Sequence, residues 1–201
     1  AGAAEPSAPG GYDDFREFFD NYYDASNTIS GENDIPRAEL APGVTLTTEP
    51  VPDPSEELTL QEIYTNCAPS VVGITATVPD ETGYYWGTGI IMTEDGYIVT
   101  NNHVIEGGGN ISVTLEEGET YAAELIGADA KTDIAVLKIE ASNLPAAEFG
   151  DSDQVEAGEA AIAIGNPMGL ELQGTVTAGI ISAINRNIMV GNTRMNLIHV
   201  L

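Results

Sequence analysis

Between Val71 and Ile139 the chain is written as short runs of Val, Ile, Thr and Tyr, each closed by a Gly- or Asp-bearing break before a helix could complete three turns. Runs of that length and composition are strands. The pattern predicts strands over 71–78, 87–92, 97–100, 111–115, 121–126 and 134–139, the last continuously apolar, as in a strand covered on both faces. Thr93-Glu94-Asp95-Gly96 and Glu116-Glu117-Gly118-Glu119 are predicted hairpin turns. So many short, closely spaced strands favour an antiparallel sandwich or small barrel over an alternating α/β sheet, so the fold class is all-β. A helical turn or two over 58–65 leads into Pro69. After a loop-like stretch over 143–155, strands are predicted again at 160–164 and 174–183, separated by the rigid turn Gly165-Asn166-Pro167-Met168-Gly169.

Residues 1–57 are of a different kind. They hold 13 acidic residues against Arg16 and Arg37, and most of the prolines. Such a segment buries too little apolar surface to offset its ordering entropy, so it reads as a largely disordered acidic linker. Within it, aromatics at 12, 15, 18, 19, 22 and 23 have helical spacing, either a short amphipathic helix packing on its own domain or a docking peptide. The organisation expected is a linker over 1–57, a first β unit over 58–150 and a second opening over 151–201. The chain begins at Ala1 without Met or a leader pattern, which suggests a processed product or a fragment. Its apolar runs are all shorter than a spanning helix requires.

The whole chain of 201 residues carries 32 acidic and 6 basic residues, a net charge of −26. Nucleic acid is excluded as a partner, because phosphate binding needs clustered Lys and Arg. One cysteine, Cys67, excludes an internal disulfide and a thiolate metal site, and it is expected to be a small buried side chain. The acids lack the spacing of a calcium loop, and two distant histidines make no zinc site, so neither metal nor cofactor is expected.

His103 and His199 are the two histidines available to act as a base. His103 is expected to close an apolar strand just before Gly107-Gly108-Gly109, where a rigid element can present a side chain to a cleft. Asp133 stands at the start of the most apolar strand, partly buried and in need of a donor. A histidine followed by an aspartate fits two members of a catalytic triad; a structural histidine and a turn-capping aspartate are the plainer readings. No serine completes the set. Ser152 is followed by Asp153 and Gln154 rather than glycines, Ser182 is mid-strand, and His199 reads as structural.

Six blocks taken together go further: Gly87-Thr88-Gly89-Ile90-Ile91, Thr100-Asn101-Asn102-His103-Val104-Ile105, Thr132-Asp133-Ile134-Ala135-Val136-Leu137-Lys138-Ile139, Gly150-Asp151-Ser152-Asp153, Ala163-Ile164-Gly165-Asn166-Pro167-Met168-Gly169-Leu170 and Val176-Thr177-Ala178-Gly179-Ile180-Ile181-Ser182. In this order they resemble the HtrA/Deg family of trypsin-like serine proteases. The resemblance implies paired antiparallel barrels with a cleft between them, His103 as general base and acid, and Asp133 as its orienting carboxylate. It also implies an extracytoplasmic enzyme of protein quality control that acts on unfolded or misfolded polypeptides, as a homo-oligomer that is trimeric by analogy. Family members often carry a membrane anchor ahead of a variable linker, here upstream of Ala1.

The family's Gly-Asn-Ser-Gly-Gly nucleophile block is absent from these residues, as are its oxyanion-hole amides and PDZ domain. The expectation is therefore an amino-terminal portion of a serine endopeptidase, inactive by itself, with an incomplete second barrel whose strands expose edges and an apolar face. The alternative is a trypsin-fold binding module that has lost catalysis.

Overall fold

The computed structural model of the chain describes residues 35–44, 46, 48, 58–78, 83–166, 173–190 and 193–200, with the backbone alone for 185–200. The aromatic stretch 12–23 lies outside them. Helix α1 (Leu60–Cys67) is started by a capping box, in which the Thr59 hydroxyl accepts from the Glu62 N–H and the Glu62 carboxylate accepts from the Thr59 N–H. Pro69 ends it in a single 3₁₀ turn, Ala68–Ser70.

Six strands follow: β1 (Val71–Thr77), β2 (Tyr84–Ile91), β3 (Tyr97–Thr100), β4 (Ile111–Thr114), β5 (Thr120–Asp129) and β6 (Ile134–Ile139). They close into an antiparallel barrel in the order β1-β2-β3-β6-β5-β4. Both predicted hairpin turns are present, Gly96 taking the positive φ (103°) that its turn demands. Alternate residues point inward, so Val72, Ile74, Ile91, Ile98, Val113, Leu125, Leu137 and Ile139 form one buried cluster. Each such side chain contributes about 1.5–3 kcal/mol through burial. Gly89 faces the same interior, where a Cβ would lie 2.8 Å from Ile98 Cγ2 and 2.9 Å from Ile74 Cδ1.

A second, three-stranded sheet has the order β9-β8-β7, built from β7 (Ala160–Gly165), β8 (Thr175–Val190) and β9 (Thr193–Val200). Val176, Ile180 and Ile184 of β8 share one side of their strand and are exposed, the apolar face expected of these strands. The predicted strands recur with shifted ends: β2 begins at Tyr84 because Tyr84-Tyr85-Trp86 extends its pairing with β1, and β8 runs on to Val190 against β9.

Two readings need correction. Cys67, expected to be buried, is exposed, since α1 turns only Ile63 and Tyr64 partly inward and full burial begins at Ala68. His103 stands on a helical turn after β3 rather than closing a strand. Part of the leading segment is also fastened to the barrel. Beyond the end of β4, β5 has an uncovered edge; there the Leu125 N–H donates to the Pro36 carbonyl (2.7 Å) and the Ala38 N–H to the Leu125 carbonyl (3.2 Å). Ile35 enters the core cluster with 4% of its surface exposed, and the Ala41 N–H donates to the Tyr97 hydroxyl at 3.0 Å. Covering a bare strand edge satisfies main-chain groups that would otherwise be left to solvent or to another chain.

Candidate active site

The β3/β6 register decides which residues meet. Thr100 pairs with Ala135, so the chain leaving β3 at Asn101 runs beside the residues that enter β6 at Asp133. Directly after β3 comes the one-turn helix α2 (Asn102–Ile105), which carries His103. Val104 and Ile105 are buried and pin this turn onto the barrel. Asp133 adopts a left-handed backbone (φ 56°), a conformation that Asp and Asn tolerate better than other non-glycine residues.

That backbone aims both ends of Asp133 at the 101–103 segment. Its carbonyl accepts from the Asn102 N–H (3.1 Å) and from Asn101 Nδ2 (3.1 Å). The carboxylate Oδ1 accepts from the His103 N–H at 2.9 Å, while Oδ2 lies 2.7 Å from His103 Nδ1 and accepts from Asn101 Nδ2 at 3.2 Å. Two partners on one carboxylate oxygen and a third on the other hold the imidazole plane, and the Nδ1–H tautomer is the one that donates to Asp133.

Asp133 is 7% exposed. Burial acts to raise its pKa, but hydrogen bonds from the His103 side chain and backbone, the His103 charge and the Asn101 amide outweigh it. The net direction is downward, so the carboxylate stays ionised. Glu106, just after α2, is moved the other way by burial and by the negative charge of Asp133, with His103 partly opposing. Its backbone N–H donates to the Asn102 carbonyl at 2.9 Å.

The His103 side chain keeps 32% of its surface exposed against 10% for Asp133. An imidazole fixed through Nδ1 and open on part of its surface can accept a proton at Nε2 and return it. The structure therefore joins the two residues singled out from the sequence. Ser152 lies exposed in a 3₁₀ turn and Ser182 within β8; His199 is in β9, where only the backbone is described. Among the described residues no cluster of three or more His, Cys, Asp or Glu could hold a metal ion.

Sequence reasoning missed Asn101 as an anchor of Asp133, and it also missed the junction behind it. The Thr100 hydroxyl donates to the Thr88 carbonyl (2.8 Å), and the Thr88 hydroxyl accepts from the Asn166 N–H (2.8 Å) at the end of β7. This series ties the second sheet to the strand that delivers His103. The available signal was the conjunction within the six blocks of Thr88 inside one predicted strand, Thr100 at the end of another and Asn166 in the turn after a third.

A barrel carrying a His–Asp pair on the turns beside two adjacent strands is the arrangement of a trypsin-like peptidase. Residues 87–200 match the family described as "Trypsin-like peptidase domain", and the chain belongs to that family. Within it the chain is similar to HtrA-type proteins. It is 59% identical over 101 residues, half of the chain, to a "Probable periplasmic serine endoprotease DegP-like" of Chlamydia muridarum, covering 20% of that protein. It is 51% identical over 111 residues, 53% of the chain, to "Serine protease Do-like HtrB" of Bacillus subtilis, covering 24% of it. Among solved structures, an "HtrA-type protease AlgW with tripeptide" superposes with a TM-score of 0.60 at 42% identity, over 66% of this chain and 44% of that one. The serine endoprotease from Yersinia pestis gives a TM-score of 0.58 at 36% identity, over 70% and 54%. The chain thus spans about a fifth to a quarter of these two curated relatives.

Proposed function

We propose that this chain supplies the general base, His103, and the orienting carboxylate, Asp133, of a serine endopeptidase of the HtrA/Deg type. The observation that carries this reading is the 2.7 Å contact between His103 Nδ1 and a buried, ionised Asp133 Oδ2, reinforced by the 2.9 Å bond from the His103 backbone. In the full-length protein, the family's Gly-Asn-Ser-Gly-Gly block would bring a serine to the Nε2 side of the imidazole. Nε2 takes the hydroxyl proton as Oγ attacks the scissile carbonyl carbon. The C–N bond then breaks, Nε2 gives the proton to the leaving amine, and water hydrolyses the acyl-enzyme by the same exchange in reverse. Asp133 stabilises the imidazolium formed at each attack without itself taking the proton.

Unfolded or misfolded polypeptides outside the cytoplasm are the proposed substrates, a reading supported by the relatives' names, "periplasmic" and "endoprotease". A homotrimer and a membrane anchor upstream of Ala1 belong to the same reading. Among the described residues, no helix is long and apolar enough to cross a membrane.

A fluorophosphonate probe tests the proposal. The full-length protein is expected to be labelled at one serine, with His103→Ala abolishing the reaction, while the 201-residue chain stays unlabelled. Labelling of the short chain, or of the His103→Ala protein at the wild-type rate, refutes it. Unlabelled full-length protein with intact folding would instead mark a binding module.

A further inference from the structure

Helix α2 ends in a second carboxylate, one that the His–Asp pair does not use. Glu106 closes the turn: its N–H donates to the Asn102 carbonyl at 2.9 Å, and its Oε2 lies 3.5 Å from Asn102 Nδ2. Asn102 is 6% exposed and donates its own N–H to the Asp133 carbonyl at 3.1 Å, while Val104 and Ile105 bury the rest of the turn in the barrel. Glu106 is thereby held, partly buried, three residues from His103, the spacing of neighbours on a helical turn.

A carboxylate removed from water needs a partner of opposite charge. Among the described residues no Lys or Arg forms an ion pair with Glu106; the ion pairs there are His103–Asp133 and Lys138–Glu140. The charges that act on it are those of the dyad, Asp133 unfavourably and His103 favourably. Burial and Asp133 raise its pKa, and above that value the carboxylate is ionised. Of the strands that α2 packs against, β1 has no titratable side chain and β2 only the exposed Tyr84 and Tyr85. β6 has Lys138 alone, at its far end opposite Tyr97, bonded to the Ile139 carbonyl and to Glu140. On the turn ahead of Asp133, Asp129 and Lys131 are exposed, and the Lys131 N–H donates to Asp129 Oδ1 at 3.1 Å.

With the imidazole neutral, an ionised Glu106 meets only the repulsion of Asp133. Once Nε2 has taken a proton, the imidazolium attracts it. We propose that Glu106 is a positioning residue of the peptidase reaction that acts through His103: it keeps a negative charge beside the imidazole that becomes favourable only as the base takes up the serine proton. An interaction gained on proton transfer lowers the barrier instead of tightening substrate binding. The inference rests on the proposed peptidase reading.

The decisive variant is Glu106→Gln in the full-length protein, which keeps the side chain's length and an oxygen acceptor facing Asn102 but removes the charge. The rate of fluorophosphonate labelling is measured from about pH 5 to 9, together with the melting temperature at each pH. The expected result is an acid midpoint of the profile moved down by about 0.3–0.7 pH unit, because the missing charge no longer opposes loss of the imidazolium proton. The same loss is expected to lower the maximal rate by about 2- to 5-fold, the tenfold-per-unit equivalent of that shift. Glu106→Asp, which restores a charge, is expected to return the midpoint toward the wild-type value. A role confined to holding Asn102 leaves the midpoint in place, so an unmoved midpoint, or one moved upward, overturns the proposal. Should Glu106→Gln fail to fold, Glu106→Ala is put to the same test. The ring-proton resonances of His103, followed by NMR in the same proteins, give the midpoint without the label. Wild-type protein that titrates but takes no label therefore counts against the peptidase reading, while the NMR midpoints still decide the role of Glu106.

Discussion

Gly87→Ala tests whether barrel packing sets the position of His103, the proposed general base. A Cβ at Gly87 would lie 2.5 Å from both γ-carbons of Val104 and 3.1 Å from its Cβ. Carbon atoms rest at about 3.5 Å or more, so relief requires Val104 to retreat by about 1 Å. Turning the Val104 side chain cannot provide this. Two of the three substituent positions on its Cβ face Gly87, and any staggered rotamer leaves a methyl in at least one of them. Gly87 lies outside the left-handed backbone region, so alanine brings overpacking without backbone strain. The expected cost is about 1–3 kcal/mol, reduced by the several tenths that alanine gains through the unfolded chain. Because Val104 follows His103 on a single helical turn, the retreat also lengthens the 2.9 Å and 2.7 Å bonds to Asp133. A shift of that size is expected to slow labelling of the full-length protein about 100-fold. Val104→Ala alone deletes two buried methyl groups, at about 0.8 kcal/mol each plus a cavity term. In the double variant the new methyl occupies the space of the old ones. Urea denaturation followed by circular dichroism is therefore expected to show a favourable coupling of about 1–2 kcal/mol, with labelling largely restored. Additive costs within about 0.5 kcal/mol, or an undiminished labelling rate in Gly87→Ala, would refute the packing argument.

Asp133→Asn keeps a residue that tolerates the φ of 56° but turns an amide toward His103 Nδ1, favouring the wrong tautomer. Labelling of the full-length protein is expected to fall about 10⁴-fold with the melting temperature little changed, the loss seen for the equivalent change in a serine-protease triad. Ile35→Ala should destabilise the barrel by about 2–5 kcal/mol and speed hydrogen exchange at the Leu125 amide, whose acceptor is Pro36. A loss under about 0.5 kcal/mol would show that the leading segment is not part of the core. Asp133 and Glu106 should impose opposite pH dependences on the urea midpoint. The Asp133 contribution, from a lowered pKa, is complete above its unfolded value near 3.8 and disappears as pH falls through the folded value. That of Glu106, from a raised pKa, is complete below its unfolded value near 4.5 and disappears as pH rises through the folded value. Accordingly Asp133→Asn should flatten the acid side of the profile, and Glu106→Gln should remove the decline on the other side.

The strands of the barrel were legible because its sequence signals are local. Alternation places Val72, Ile74, Val113 and Leu137 inside, and Gly96 and Gly118 mark turns of positive φ. What escaped depends on contacts between distant stretches. Ile35 sits in an acidic, proline-bearing segment whose composition argues for disorder, yet one side chain and two backbone bonds suffice to seat it on the bare edge of β5. Cys67 failed in the opposite sense: small and apolar beside an apolar strand, it ends a surface helix that turns only Ile63 and Tyr64 partly inward.

The pairing of His103 with Asp133 shows where local reading ends and topology begins. Thirty residues separate them, and nothing in either neighbourhood fixes that distance in space. The antiparallel β3/β6 register does, by setting Thr100 against Ala135 so that the residues following Thr100 meet those preceding Ala135. Once they are adjacent, the left-handed turn at Asp133 allows one residue to accept through its carbonyl and both carboxylate oxygens, binding Asn101, Asn102 and His103 together. An aspartate fits this position for two physical reasons at once, charge for the imidazole and tolerance of positive φ for the backbone. Asparagine shares the second property but not the first, so Asp133→Asn can separate the electrostatic role from the conformational one.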